Sequence, residues 1–311
     1  MARPEVFVKK PKFVISLTTR DNDYQQEQAV SAQEAAVRTG IEIELVYAEN
    51  DAVLQSQQLL HFVQGAAESR PDAILFEPVN ATGLSKVAEA AVAAGIAWII
   101  NNAKVDYLAA LRSTAKAPVF LVSQDHVEVG RIQGRQIAAL LPGGGSVLYL
   151  RGPAINSLAS LRTDGIESTK PKNVELKSLK IQWTYESALQ AVSSWLNLPT
   201  TKPEATQLIA SQNADFILAA KKAFETETAE PLRSKWLAIP CLGVGVASQL
   251  KPLVDGGTLR AAVLTSLTMD KSLELLVQAR KDGSQPPEQT FVEASSYPAL
   301  DVLAASRKPA A

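Results

Sequence analysis

The sequence contains one cysteine, two histidines and two methionines, and only 6% of it is aromatic. A single cysteine excludes an internal disulfide, and Cys241, inside the apolar run "IPCLGV", reads as a small buried hydrophobe. His61 lies on an apolar-periodic helix and His126 at a helix start, too separated in sequence to propose a metal site or a histidine-based triad. There is no Gly-x-Ser-x-Gly elbow to hold a nucleophile. Neither sign of charge is in excess: 31 basic residues against 32 acidic ones leave a net charge of -1, and without a basic stripe nucleic acid is not an expected partner. The stretch "VKKPK" near the start reads as a solvated leader. No run approaches ~18 unbroken apolar residues, and the first twelve lack the apolar core of about 7–15 residues that a secretory signal needs, so no membrane insertion is expected. Compartment stays open: periplasmic if an export signal has been removed from the chain, cytoplasmic otherwise.

What is abundant is alternation. "KFVISLT" (12–18) is a β-branched apolar run, followed by a helical Ala/Val pattern that closes on Gly40. "IEIELVYAE" alternates with period two. "DAVLQSQQLLHFVQGAAESR" reads as a helix ending before Pro71, "DAILFEP" as a strand, "NATGLSKVAEAAVAAG" as a helix closed by Gly95, and "IAWIIN" as a strand. "APVFLVSQ" then opens a second series: helix 126–141, strand 146–150, helix from 157, strand "VELKSLKIQW", helix 185–197, strand "ATQLIAS", helix 214–227 and strand "AIPCLGVG". Strand and helix succeeding one another in this way predict right-handed crossovers and parallel sheets covered on both faces. With 311 residues, two α/β units of about 110–140 residues each are expected.

Several suggestive motifs dissolve on inspection. "CLGVGVAS" carries Gly-x-Gly, but Ser248 stands where a dinucleotide fingerprint has its third glycine and no acidic residue ends the next strand, so no cofactor is expected. "LPGGGS" precedes its strand and reads as a turn. Asp125 and Glu128 read as a capping pair at a helix start, and Trp195 as core. More informative are the residues at the carboxyl ends of the strands: Arg20, Asp21, Asn22 and Tyr24; Glu77; Asn101 and Asn102; Asp125; Asn156 and Arg162; Trp183; Gln212 and Asn213. Arg162 and Asp164 are placed on the first exposed turns of the helix after "RGPAINSLAS". Ends of this kind converge on the ligand crevice of an open parallel sheet. Asn and Asp also serve as caps and turn formers. Amides, an arginine and aromatic faces suit a neutral, hydroxyl-rich ligand, through paired hydrogen bonds and ring stacking.

The order of "VISLTTRDNDYQQEQAVSAQEAA", "DAILFEPVNATGLSKVAEAAVAAGI", "VSQDHVEVGRIQGRQIA", "VLYLRGPAINSLASLRTDGI", "LIASQNADFILAAKKAFE" and "LGVGVASQLKPLVDGGTLRAAV" resembles the type I periplasmic sugar-binding proteins of ABC transporters and the related effector domains of lactose-repressor-like regulators. The resemblance covers about residues 12–300. It implies an α/β fold of two doubly wound parallel-sheet lobes joined by a three-segment hinge, 12–124 plus 266–291 and 125–265 plus 292–305. It also implies a monomeric solute-binding protein, without catalysis or metal, that closes on a small polar ligand of carbohydrate type and delivers it to an ABC permease. The family's binding arginine falls on Arg162, its stacking aromatic on Trp183 and its asparagine on Asn213; the first-lobe loop matches Asp21, Asn22, Tyr24 and Gln25. This chain departs from the pattern at Glu77, where the family carries asparagine, at Asn101 and Asn102, where it carries an acidic and basic pair, and at Gly245, which replaces an acidic residue. A ligand-sensing domain and an enzyme on the same fold are the alternatives, the first lacking a helix-turn-helix before residue 12 and the second an identifiable nucleophile and base.

Overall fold

The computed structural model describes residues 10–153 and 157–306. The elements run β1 (Lys12–Leu17), α1 (Asp23–Thr39), β2 (Glu42–Tyr47), α2 (Ala52–Gln64), β3 (Ala73–Phe76), α3 (Ser85–Ala93), β4 (Ala97–Asn101), α4 (Leu108–Thr114) and β5 (Val119–Gln124). There follow α5 (His126–Leu140), β6 (Gly145–Arg151), α6 (Ser157–Thr169), β7 (Val174–Lys180), α7 (Tyr185–Leu196), β8 (Leu208–Ser211), α8 (Ala214–Glu227), α9 (Leu232–Leu237) and β9 (Cys241–Val246). The remainder is α10 (Ala247–Asp255), β10 (Ala261–Thr265), α11 (Thr268–Asp282), β11 (Gln289–Val292), β12 (Ala294–Tyr297) and α12 (Leu300–Ala305). The chain divides into two compact units: residues up to Ser123 with Leu267–Val292, and Gln124–Ser266 with residues from Glu293 onward.

The first unit is built on a six-stranded sheet in the order β11-β5-β4-β3-β1-β2. Period-two alternation separates its two faces. Val14, Ile74, Phe76, Trp98, Ile100 and Leu121 pack toward α2, α3 and α4, whereas Phe13, Ile15, Leu75, Ile99, Phe120 and Val122 pack against the alanines of α1 and against Met269, Leu273 and Leu276 of α11. Burying each of the larger side chains contributes ~1.5–3 kcal/mol. The second unit has the order β12-β10-β9-β8-β6-β7. One face carries α7 to α10 around Phe216, Phe224 and Trp236; the other carries Ile137 of α5, Ile166 of α6 and Leu303 of α12.

Five local readings of the sequence need correction. β5 pairs in parallel with β4 and lies inside the first sheet, between β4 and β11; it does not open the second series. β12 runs antiparallel to β10, giving a mixed edge to an otherwise parallel sheet. The helix α2 stops at Gln64 because Gly65 closes it onto His61 O and the next residues turn, with Arg70 Nε donating to Gly65 O at 2.8 Å. β7 ends at Lys180, so Trp183 sits in the loop beyond it, before Thr184 caps α7. Asp125 does cap α5 at Glu128 N, 2.9 Å, but the Glu128 carboxylate turns outward to Arg135 and Arg131. The seven-residue α4 was too short to show a period.

Glycine sets the closest helix contact. A Cβ on Gly130 of α5 would stand 2.1 Å from Arg162 O, and one on Gly165 of α6 would stand 2.2 Å from Val127 O. Alanine at either position gains up to ~1 kcal/mol of helix propensity but has to push two backbones apart, which costs about 1–3 kcal/mol or more. Overpacking wins, so Gly130→Ala and Gly165→Ala are expected to lower Tm by on the order of 5 °C in calorimetry, while Gly143→Ala, with nothing within 4 Å, leaves it unchanged. Cys241 is buried, and burial pushes its thiol up to about 11. A thiol reagent at pH 8 is therefore expected to label the folded chain at a small fraction of the rate seen in denaturant.

Candidate functional site

In the first unit the carboxyl ends of β1, β3 and β4 deliver polar side chains to one hydrogen-bonded set. The loop after β1 places Asn22 as the cap of α1, its side chain accepting from Gln25 N at 3.2 Å. Gln25, on the first turn of α1, is buried; its Oε1 accepts from Thr18 N, which commits Nε2 to Glu77 Oε2 at 3.0 Å. Glu77 follows β3 directly, and its backbone is fixed by Gln55 of α2, which donates to Glu77 O at 2.8 Å and accepts from Val79 N at 2.9 Å. Asn102 follows β4 with a left-handed backbone, φ 61°, and donates from Nδ2 to Glu77 Oε2 at 3.1 Å and to Tyr24 Oη at 2.6 Å.

The proton sense of this set follows from its members. An ionised carboxylate only accepts, so Asn102 must present its NH2 to Glu77. Gln28, fully buried, accepts from Met269 N at 3.0 Å, so it is its Nε2 that faces Tyr24 Oη at 2.7 Å and Thr268 Oγ1 at 2.7 Å. Two N–H groups thus fill the acceptor capacity of the Tyr24 oxygen and leave its O–H to act as a donor.

Tyr24, Gln25, Glu77 and Asn102 are therefore brought together. Asp21 is exposed, its N–H on Thr19 Oγ1, and Asn101 points to the opposite face of the sheet, where its Oδ1 accepts from Ser272 Oγ at 2.7 Å. Gln28 and Thr268 belong to the set without having been singled out in the sequence. Gln28 stands one helical turn from Tyr24, a usable signal, but Thr268 lies 240 residues further on.

In the second unit the corresponding strand ends are those of β6 and β8. Arg162 is not on an exposed turn: it is 7% exposed, while Asp164 faces solvent. The α5–α6 contact draws this part of α6 inward. Its guanidinium donates from Nη1 to Gln212 O at 2.6 Å and from Nη2 to Gln124 Oε1 at 2.9 Å. Gln212 is the node of the arrangement. Its Oε1 accepts from Gly152 N at 2.9 Å, and its Nε2 donates to Tyr149 Oη at 2.6 Å and to Ala159 O at 2.8 Å. Burial raises the Tyr149 phenol and keeps it neutral.

Trp183 is half-buried and stacks on Phe216, with ring centroids 5.7 Å apart and planes inclined by 24°. A side chain at Gly152 would collide with its indole, since a Cβ there would lie 2.2 Å from Trp183 Cζ2. Asn213 caps α8, accepting from Asp215 N at 3.1 Å. Asn156 lies outside the described residues. Gln124 and the backbone of Gln212 are the arginine's partners, and no local pattern marks either as such.

Among the described residues no three His, Cys, Asp or Glu gather closely enough to hold a metal ion, and no helix is long and apolar enough to cross a membrane. A cavity of about 460 Å³ between α3 and α4, lined by Val92, Tyr107 and Leu111, includes none of the residues singled out above.

Comparison with solved structures places the fold. A protein of Mycobacterium smegmatis in complex with β-D-fucofuranose superposes with a TM-score of 0.78 at 19% identity, over 95% of this chain and 93% of that one. A galactofuranose-binding protein gives 0.77 at 19% identity, covering 94% and 96%, and the Caulobacter myo-inositol-binding protein bound to myo-inositol gives 0.74 at 17%, covering 92% of each. A curated relative from Rhizobium meliloti, named for rhizopine binding, is 24% identical over 164 residues, and the matched stretch spans about half of this chain and half of that protein. A family model described as the periplasmic binding protein domain matches residues 13–269, which takes in both sheets from β1 through β10. Two parallel-sheet α/β units with polar side chains gathered at their strand ends, matched over most of their length by that model, make this chain a member of the periplasmic binding protein domain family.

Proposed function

We propose that this chain is a solute-binding protein that closes on a small polar ligand, a sugar or sugar-like polyol, and hands it to an ABC-type permease on the outer side of the cytoplasmic membrane. The observation that carries the reading is the convergence of amides, a carboxylate, a phenol and a guanidinium at the carboxyl ends of the strands: Tyr24, Gln25, Glu77 and Asn102 in one unit, Arg162 held by Gln212 and Gln124 in the other. Mixed donors and acceptors in fixed positions are what vicinal hydroxyls require. Binding would stabilise the closed arrangement by the ligand's preference for it. In this reading Trp183 offers the ring face not used by Phe216 to the ligand's C–H surface, Asn213 contributes from the start of α8, Asp21, Asn22 and Asn101 play supporting parts, and no residue is assigned a catalytic role. The bound sugars and polyols of the structural neighbours, myo-inositol and D-allose among them, support the ligand class.

A thermal-shift screen of neutral and acidic sugars and polyols, including myo-inositol, D-allose, L-arabinose and D-gluconate, is expected to identify at least one that raises Tm; a flat response across the whole panel would remove this reading. For that compound Arg162→Ala is expected to weaken binding by about ten- to a hundred-fold, or ~1.5–3 kcal/mol, in calorimetry.

Saturating ligand is further expected to change tryptophan fluorescence, and Trp183→Ala to abolish the change and weaken binding with the fold intact. A response that persists in the variant assigns the signal to Trp98, Trp195 or Trp236 and takes Trp183 out of the site.

A further inference from the structure

The last residues of β6 and β7 present an uncompensated pair of cations. Arg151 and Lys180 are register partners in the parallel ladder, so their side chains leave the same face of strands about 4.8 Å apart. Basic residues nearby have carboxylate partners: Lys177 pairs with Glu175, Lys170 with Glu167 and Arg135 with Glu128. Among the described residues no ion pair reaches Arg151 or Lys180. Arg151 Nε is buried and has no hydrogen-bond partner, a costly condition for a charged donor. Burial raises the Tyr149 phenol, and the positive charges of Arg162 and Arg151 both oppose that rise. The helix α6 starts six residues after Arg151, and in a strand-to-helix handover its N-terminus, with its positive end, lies at the carboxyl end of β6.

We propose that the carboxyl ends of β6 and β7 form a subsite for an anionic oxygen group, with Arg151 and Lys180 as its cations, and that this chain's ligand carries a carboxylate or a phosphate. The inference rests on the solute-binding reading and narrows its ligand class. Arg151 supplies the buried N–H that an anion satisfies. Lys180, exposed, supplies a second charge that water and salt screen more strongly.

The test uses the whole chain at low ionic strength with five probes: inorganic phosphate, D-gluconate and D-glucose 6-phosphate, against neutral D-glucose and myo-inositol. At least one anionic probe is expected to raise Tm and to bind in calorimetry, with affinity falling several-fold on raising the salt. Arg151→Gln is expected to reduce that affinity at least ten-fold and Lys180→Gln a few-fold, with ligand-free Tm unchanged or raised in both. Gluconate against phosphate tells the carboxylate from the phosphate source. Binding of the neutral probes alone, or anion binding that survives the double substitution, overturns the subsite and leaves the solute-binding reading in place. Binding of anionic probes alone sustains the subsite and removes neutral sugars as the ligand class. Failure of all five overturns the subsite as well.

Discussion

Every polar side chain drawn under the ends of these sheets loses water and has to recover its hydrogen bonds from protein, and most of the local architecture follows from that requirement. Arg162 does so at its two terminal nitrogens, Nη1 donating to a main-chain carbonyl and Nη2 to an amide oxygen, so the guanidinium is held at two points by neutral acceptors. Gln212 meets it by reaching three segments at once, the start of the β6–α6 loop, the first turn of α6 and the interior of β6. A side chain so occupied cannot move without stranding a donor or an acceptor, which makes the end of β8 a rigid seat for the arginine. Gln28 has the same office in the other unit, tying Tyr24 to the first turn of α11.

The glycines determine which seats are available. Because Gly130 and Gly165 let α5 and α6 meet at backbone distance, α6 lies deep enough for a residue on its second turn to be buried. Gly152 performs a similar service for the indole of Trp183. In both places the sequence spends its least bulky residue on a single contact, and a polar or aromatic side chain is positioned as the result.

Much of the strand and helix order was legible because the two periods differ so plainly: "KFVISL" and "AWIIN" can bury both faces only inside a sheet, and Asp125 announces a helix through its side-chain cap. What escaped reading was long-range. The direction of β12, the pairing of β5 with β4 and the Gln28–Thr268 contact depend on segments far apart in the chain, and no local pattern encodes them. The polar residues at strand ends were visible as a set, but their division of labour was not. Asn101 and Asn102 are adjacent in sequence and belong to opposite faces of the sheet, one facing Ser272 and the other Glu77, because the strand ends between them and the backbone turns left-handed.

That left-handed turn also limits how the site can change over generations. Asn is one of few residues that tolerate φ 61°, together with Asp and Gly. Glycine would keep the chain's path and delete both hydrogen bonds to Tyr24 and Glu77. Aspartate would set a second carboxylate against the first, which the pair could accommodate only by sharing a proton. Position 102 thus couples the path of the chain to the contents of the site: a residue exchanged there has to suit the turn and the contacts to Tyr24 and Glu77 together.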